Sequence, residues 1–360
     1  MTSGSRLPGC TRFCASWRGD ERLRLKFLEL PSDERRLYIE QAAARRNVPE
    51  VMLEKDFWVS WVLAVLFESR FADVLVFKGG TSLSKVFAVI DRFSEDIDLS
   101  LSPAFLGLDD AAPPSRTQAD LWMKKAEVAC AAAVKEQLLP ALEKTAVEVL
   151  GNRSEGWFQF AIDEASNSPV LLFHYPTTQP TGFAYLKRTV KLELGSLTDQ
   201  QPTERHTVRP WIVDVLEEAF DDWRCHVVAL DVHRTFWEKA TILHSEHHRP
   251  ADKPTPSRFS RHYADTVALA EDRVASTAVG QGDLRDRVVA WKSRFFGSAW
   301  ARYDLARPDT FRLVPPKERE AALRQDYAAM RDMYLSEPRT FDDILRALSD
   351  LERRINSEAS

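Results

Sequence analysis

The spacing of apolar residues changes twice between Val74 and Leu101, and no other stretch constrains the fold as much. Val74 to Phe77 is a continuous apolar run, the mark of a buried strand. Lys78-Gly79-Gly80-Thr81-Ser82-Leu83-Ser84-Lys85 follows, and Leu83, Val86, Phe87 and Ile90 fall at helical spacing. From Glu95 onward the period is two. Ile97, Leu99 and Leu101 point one way, and Asp96, Asp98 and Ser100 the other. The pattern predicts a strand, a Gly-Gly turn, a helix reaching Ile90, and a second strand with an acidic face.

Each piece suits phosphate and metal chemistry. Adjacent glycines let backbone approach a ligand closely. A helix that starts there offers free N–H groups and the positive end of its dipole to an anion. Alternate residues on a strand lie roughly 7 Å apart, so Asp96 and Asp98 can converge on hard cations that prefer oxygen. A lone Gly-Gly is usually only a turn, and a lone Asp-x-Asp only a solvated edge. In combination, two like charges on one strand face repel each other unless a cation relieves them.

A chain of 360 residues can bury a large core and has room for two domains. Its net charge of −5 does not mark a general nucleic-acid binder, so such a substrate needs a local basic patch. Cys10, Cys14, Cys130 and Cys225 are scattered without zinc-like spacing, as expected of free thiols in the cytoplasm. The opening residues carry no apolar signal-peptide core, and no run of about 18 apolar residues predicts a membrane span.

The remaining elements follow in order. Residues 1–20, rich in small residues and Arg, read as a disordered extension. Asp33 to Arg46 reads as a helix with Ser32 as its cap, and Pro49 opens another whose Phe57, Trp61, Ala64 and Val65 form an apolar stripe. After a loop at Pro113-Pro114, Gln118 to Leu150 reads as a long helix broken near Pro140. Its Lys124, Lys125, Lys135 and Lys144 form a solvated face or a contact for an RNA backbone. Trp157–Ile162, Val170–Tyr175, Leu186–Leu197 and Val227–Leu230 read as strands. Helices are expected from His233, from Ser260, and over most of the chain after Asp283.

Lys191 and Glu193 share one face of the strand Val190–Leu194. If that strand lies beside the Asp96/Asp98 strand, Glu193 becomes a third carboxylate and Lys191 a stabiliser of phosphate charge; otherwise they are an ordinary ion pair. Asp214 and Asp231 are alternative third acids, and the sequence does not choose among them. Arg205, His206, Arg209 and Trp211 make a basic and aromatic patch that reads as a surface strand or a base-stacking contact. Glu238 and Lys239, neighbours on a helix, are expected to face different partners, one of them the cleft. His244 and His248 have metal-sharing spacing, but no Glu stands between them as in a zinc protease. Arg261, His262 and Asp265 read as members of a buried structural network.

The order strand, Gly-Gly-Thr/Ser, helix, Asp-x-Asp resembles the DNA polymerase β-like nucleotidyltransferases. The strings at 78–85 and 92–101 resemble their AbiEii/AbiGii toxin branch, the toxin half of type IV toxin–antitoxin and phage-defence pairs. Further likeness lies in 234–244, 261–266, 313–316 and 326–330, so the resemblance spans roughly Arg35 to Asn356. It implies an α+β fold: a nucleotidyltransferase-like mixed sheet flanked by helices over 21–231, then a mainly helical C-terminal domain over 232–360. It implies Mg²⁺-dependent transfer of a nucleoside monophosphate from an NTP to an RNA acceptor, the 3′ end of tRNA foremost. That would block translation in the cytoplasm, under control of an antitoxin. On this reading Asp96 and Asp98 hold Mg²⁺, Lys191 meets phosphate, and Glu193 is third acid or general base. Gly79, Gly80, Thr81 and Ser82 hold the triphosphate, supported by Lys78, Lys85, Arg92 and Ser94. Transfer to a protein side chain, or a non-catalytic NTP-binding module, are the rival readings.

Overall fold

The computed structural model describes residues 26–108, 115–164, 166–179, 187–220 and 223–357. The extension expected at 1–20, with Cys10 and Cys14, and the Pro113-Pro114 loop lie outside these residues.

A single helical turn (Lys26–Glu29) leads into helices α1 (Ser32–Arg46) and α2 (Glu50–Phe67). Pro31 rather than Ser32 precedes α1, and no side chain caps it; Asp33 and Glu34 in the first turn and Arg45 and Arg46 in the last match its dipole. The stripe expected on α2 is a buried cylinder, with every residue from Val51 to Phe67 buried. The helix lies between the sheet and α1, so both of its sides are covered. Trp58 and Trp61 stack on Tyr175 and Phe173.

Seven strands form one mixed sheet in the order β3-β4-β5-β2-β1-β7-β6. They are β1 (Leu75–Lys78), β2 (Ile97–Leu101), β3 (Phe158–Ile162), β4 (Pro169–Phe173), β5 (Val190–Gly195), β6 (Thr203–Val208) and β7 (Cys225–Leu230). β2 runs antiparallel to β1 and parallel to β5, while β1 is parallel to β7. Because side chains alternate, Phe77, Ile97, Leu99, Leu192 and Leu194 pack toward α2. Lys78, Asp98 and Glu193 take the other face.

One local expectation is corrected and another is met. The helix after Gly-Gly, α3 (Gly79–Lys85), ends five residues before Ile90. Ala88 adopts a positive φ of 53°, and Asp91–Phe93 is drawn into pairing with Met333–Leu335. A tertiary hydrogen-bond pattern thus overrides the helical spacing. The long helix divides into α4 (Arg116–Ala133), one π-turn (Val134–Leu138) and α5 (Leu139–Leu150). Pro140 cannot donate to the carbonyl of Glu136 and its ring would strike it, so the turn ahead widens.

The remaining longer helices are α6 (Trp211–Val215), before β7, and then α7 (Val232–His247), α8 (Ser260–Glu271), α9 (Gly282–Phe295), α10 (Lys317–Ala329) and α11 (Phe341–Ser357). Residues from Val232 to Ile355 form a second apolar cluster that Leu83 and Ile90 join. This cluster is separate from the one packed against the apolar face of the sheet. No helix among the described residues is long and apolar enough to cross a membrane.

Candidate active site

A cleft lies between the polar face of the sheet and helices α7 and α8. The sheet side contributes Lys78, Gly79, Gly80, Asp96, Asp98 and Glu193. The helical side contributes Glu238 and Lys239 from α7 and Arg261 and His262 from α8. Arg92, Ser94, Thr198 and Thr235 also line it.

Strand pairing sets the acidic wall. Asp98 is level with Glu193 across the parallel β2–β5 pair, and with Lys78 across the antiparallel β1–β2 pair. The condition placed on Glu193 by the sequence, that its strand lie beside the Asp96/Asp98 strand, is met. Burial pushes the Asp96 carboxyl up to about 6, and the charges of Glu95, Asp98 and Glu193 add to the shift. Asp98 is also raised by burial; Lys78 opposes the shift and Glu193 reinforces it. The other two acids are elsewhere. Asp214 sits half exposed on α6 beside Arg46 and Arg209. Asp231 caps α7, accepting the N–H groups of His233 and Arg234 at 2.9 and 3.1 Å.

The glycines serve close packing. Gly79 has φ +80°, and a Cβ there would overlap the Asp98 carboxylate. A Cβ on Gly80 would lie 2.8 Å from Arg92 Nη2 and 2.9 Å from Ser94 Oγ. Gly79→Ala should therefore cost about 1–3 kcal/mol of stability, read by denaturant titration, and displace Asp98 enough to abolish turnover.

Several candidates have their polar atoms engaged within the protein. Thr81 is buried; its hydroxyl donates to the Asp96 carbonyl and accepts from the Ser94 hydroxyl, fixing the lead-in to β2. Ser82 Oγ donates to the Gly79 carbonyl at 2.9 Å. Lys85 turns away and pairs with Asp56 at 2.5 Å. Lys191 reaches Glu193 at 2.6 Å and Asp163 at 2.8 Å, at the border of the cleft. Burial would lower the Lys191 pKa, but these two hydrogen bonds outweigh it and hold the ammonium charged.

Reading the sequence brought one of Glu238 and Lys239 to the cleft and put Arg261 in a buried network, but did not join Lys239 and Arg261 into a cationic wall. They sit on helices about 140–165 residues after the acids. Lys239 Nζ bonds Asp265 at 2.6 Å. Arg92 grips the same carboxylate through Nε at 2.8 Å and Nη2 at 2.9 Å. So Asp265 does sit in a buried network, with Arg92 and Lys239 as partners rather than Arg261 or His262. Burial alone would raise Asp265, but the two cations hold it far below the usual carboxylate range. Burial first, then Lys239 and Arg261, drives the His262 pKa well down, so that ring is neutral at physiological pH. Glu238 and Lys239 both line the cleft, although each has its own partners: Arg234 and Lys292 for Glu238, Asp265 for Lys239.

Two further sequence features lie apart from the site. Both nitrogens of His244 are engaged, Nε2 with the Arg302 carbonyl and Nδ1 with the Arg312 N–H. Arg205, His206, Arg209 and Trp211 do not form one patch. His206 packs on Phe87, and Trp211 contacts Phe93 with Arg46 over its ring.

The model of the nucleotidyltransferase AbiEii toxins of type IV toxin–antitoxin systems matches residues 61–347. The chain belongs to that family. It is an AbiEii-type nucleotidyltransferase, and the matched span holds every cleft residue named above. No curated protein matches it in sequence. Among solved structures it is similar to MenT4, a nucleotidyltransferase toxin from Mycobacterium tuberculosis H37Rv. That likeness is at 17% identity with a TM-score of 0.42, over 89% of this chain and 99% of the other.

Nucleotidyltransferases generally use a divalent metal, and the donors here fit one. Asp96, Asp98 and Glu193 offer only oxygen, and their mutual repulsion favours a cation. Among the described residues no three His, Cys, Asp or Glu side chains are gathered tightly enough to hold an ion unaided.

Proposed function

We propose that this AbiEii-family toxin transfers a nucleoside monophosphate from an NTP to an RNA acceptor, with the 3′ end of tRNA as first choice, using Mg²⁺. Such a modification blocks translation in the cytoplasm, and an antitoxin encoded as its pair restrains it. The observation that carries this reading is the opposition of two walls: Asp96, Asp98 and Glu193 on the sheet, Lys239 and Arg261 on the helices. A triphosphate fits between them, its metal-facing oxygens toward the acids and the remaining charge toward the cations. Mg²⁺ held by Asp96 and Asp98 would neutralise phosphate charge as it develops. Lys78, level with Asp98 and lining the cleft, would meet the same phosphates. Glu193 would orient or deprotonate the attacking hydroxyl, with the Lys191 ammonium hydrogen-bonded to it at 2.6 Å. Thr81 and Ser82 then contribute as scaffold, and Lys85 from outside the cleft.

The enclosed cavity is about 240 Å³. That is below the roughly 300–1,000 Å³ of sites that engulf a ligand. It holds the phosphates and leaves the nucleoside and the acceptor end at the open side.

The test incubates the protein with Mg²⁺ and each α-labelled NTP, separately with total tRNA, other RNA and lysate protein. Labelling of tRNA that is prevented by oxidising its 3′-terminal diol beforehand supports the reading. Label on protein, and none on RNA, replaces the acceptor; nucleotide bound without turnover contradicts the assignment of the site.

A further inference from the structure

The first turns of α2 carry three consecutive charged side chains, Glu54, Lys55 and Asp56, exposed to only 1%, 1% and 3%. Charged groups go under so completely only when paired. Successive helix positions point about 100° apart, so each meets a different segment. Glu54 accepts the Thr178 N–H at 2.6 Å and the hydroxyls of Thr177 and Thr178 at 2.5 and 2.8 Å. Asp56 takes Lys85 and the Trp211 N–H, at 2.5 and 2.7 Å. Lys55 donates to the Glu95 carboxylate and, at 2.9 Å, to the Lys187 carbonyl.

Glu95 is the residue beside Asp96 and is itself buried, at 8% exposure. Its other oxygen lies 3.8 Å from Arg258 Nη1, in the segment leading into α8. It is thus held between α2 and the segment leading into α8. Adjacent side chains of an extended chain leave on opposite sides. Anchoring Glu95 therefore sets the rotation at which Asp96 leaves the backbone, and the Thr81 hydroxyl on the Asp96 carbonyl holds the next peptide. The helix that carries Lys55 is packed all round, so its ammonium is a rigid reference point.

We infer that Lys55 is a positioning residue for nucleotidyl transfer: by holding Glu95 away from the cleft it keeps the Asp96 side chain aimed at Asp98 and Glu193. This rests on the role given to Asp96 above.

The test compares K55M, E95Q, K55M/E95Q and D96A with the wild type, each checked for folding by thermal melting. K55M should lower kcat by about 30-fold or more while the nucleotide KM stays within about threefold. Mg²⁺ alone, titrated calorimetrically into the protein, should bind K55M about tenfold more weakly. Adding E95Q to K55M removes the buried charge that was left without a partner, and should recover part of the lost kcat. A residue that only fills space predicts no such recovery, and an unrecovered double variant overturns the proposal. So does K55M with wild-type kcat and Mg²⁺ affinity while D96A is inactive. Activity in D96A would instead remove the premise, and the proposal with it. If K55M does not fold, E95Q alone decides: about a tenfold loss of kcat supports the proposal, and none contradicts it.

Discussion

Asp96→Asn should abolish nucleotidyl transfer, by about a thousandfold or more, and at the same time raise the melting temperature of the metal-free protein at pH 7.5. The activity loss follows from removing a charge that faces the phosphates. The stability gain follows from the electrostatics of the empty site. Burial and three neighbouring carboxylates raise the Asp96 pKa from 3.8 to about 6, so the folded state prefers the protonated form. Stability is then lost as pH rises from about 4 to about 6, and the penalty is fully present above that range. Asn removes it, giving a gain of about 1–2 kcal/mol at pH 7.5 that disappears below about pH 4. Mg²⁺ should raise the melting temperature of the wild type and leave the variant nearly unmoved. Melting curves from pH 4 to pH 8, with and without Mg²⁺, check all three statements. A variant that melts lower than the wild type at every pH would mean Asp96 is a structural acid.

The opposite behaviour is expected at Asp265. Asp265→Ala should destabilise the protein by about 3–5 kcal/mol, because it strands Arg92 and Lys239 as buried cations. Arg92 is 4% exposed, Lys239 7% and Asp265 1%. The folded pKa of Asp265 is held below its unfolded value, so its contribution is present above about pH 4 and fades as pH falls further. Urea titrations at pH 7 and at pH 3 should show a large difference between wild type and variant at the first and a smaller one at the second. Activity should fall as well, since Arg92 lies against Gly80 and ties the lead-in to β2 to α8.

The sequence made the acidic wall legible because its cause is local. Apolar residues at 97, 99 and 101 fix which way Asp96 and Asp98 point, whatever the rest of the chain does. Glu193 could be stated only conditionally, since strand order decides whether β5 lies beside β2. Three other features were hidden for physical reasons. The shortening of α3 depends on Met333–Leu335, some 240 residues away in the chain. The cationic wall needs α7 and α8 folded back over the sheet, and the period of a helix does not reveal which polar residue faces a cleft. Glu54, Lys55 and Asp56 look like ordinary charges at a helix start; only the packing of α2 on every side turns them into anchors. Thr81 and Ser82 show the converse. Their place after Gly-Gly suggested ligand contacts, but a hydroxyl buried at a helix start first satisfies the nearest carbonyl.

The central claim is that Asp96, Asp98 and Glu193 form one phosphoryl-transfer face. Its most direct test is the transfer of α-labelled nucleotide by Asp96→Asn beside the wild type, at saturating Mg²⁺ and with equal folded fractions. The account predicts labelled product from the wild type and none above background from the variant. Equal labelling by both would place the reaction somewhere other than this cleft.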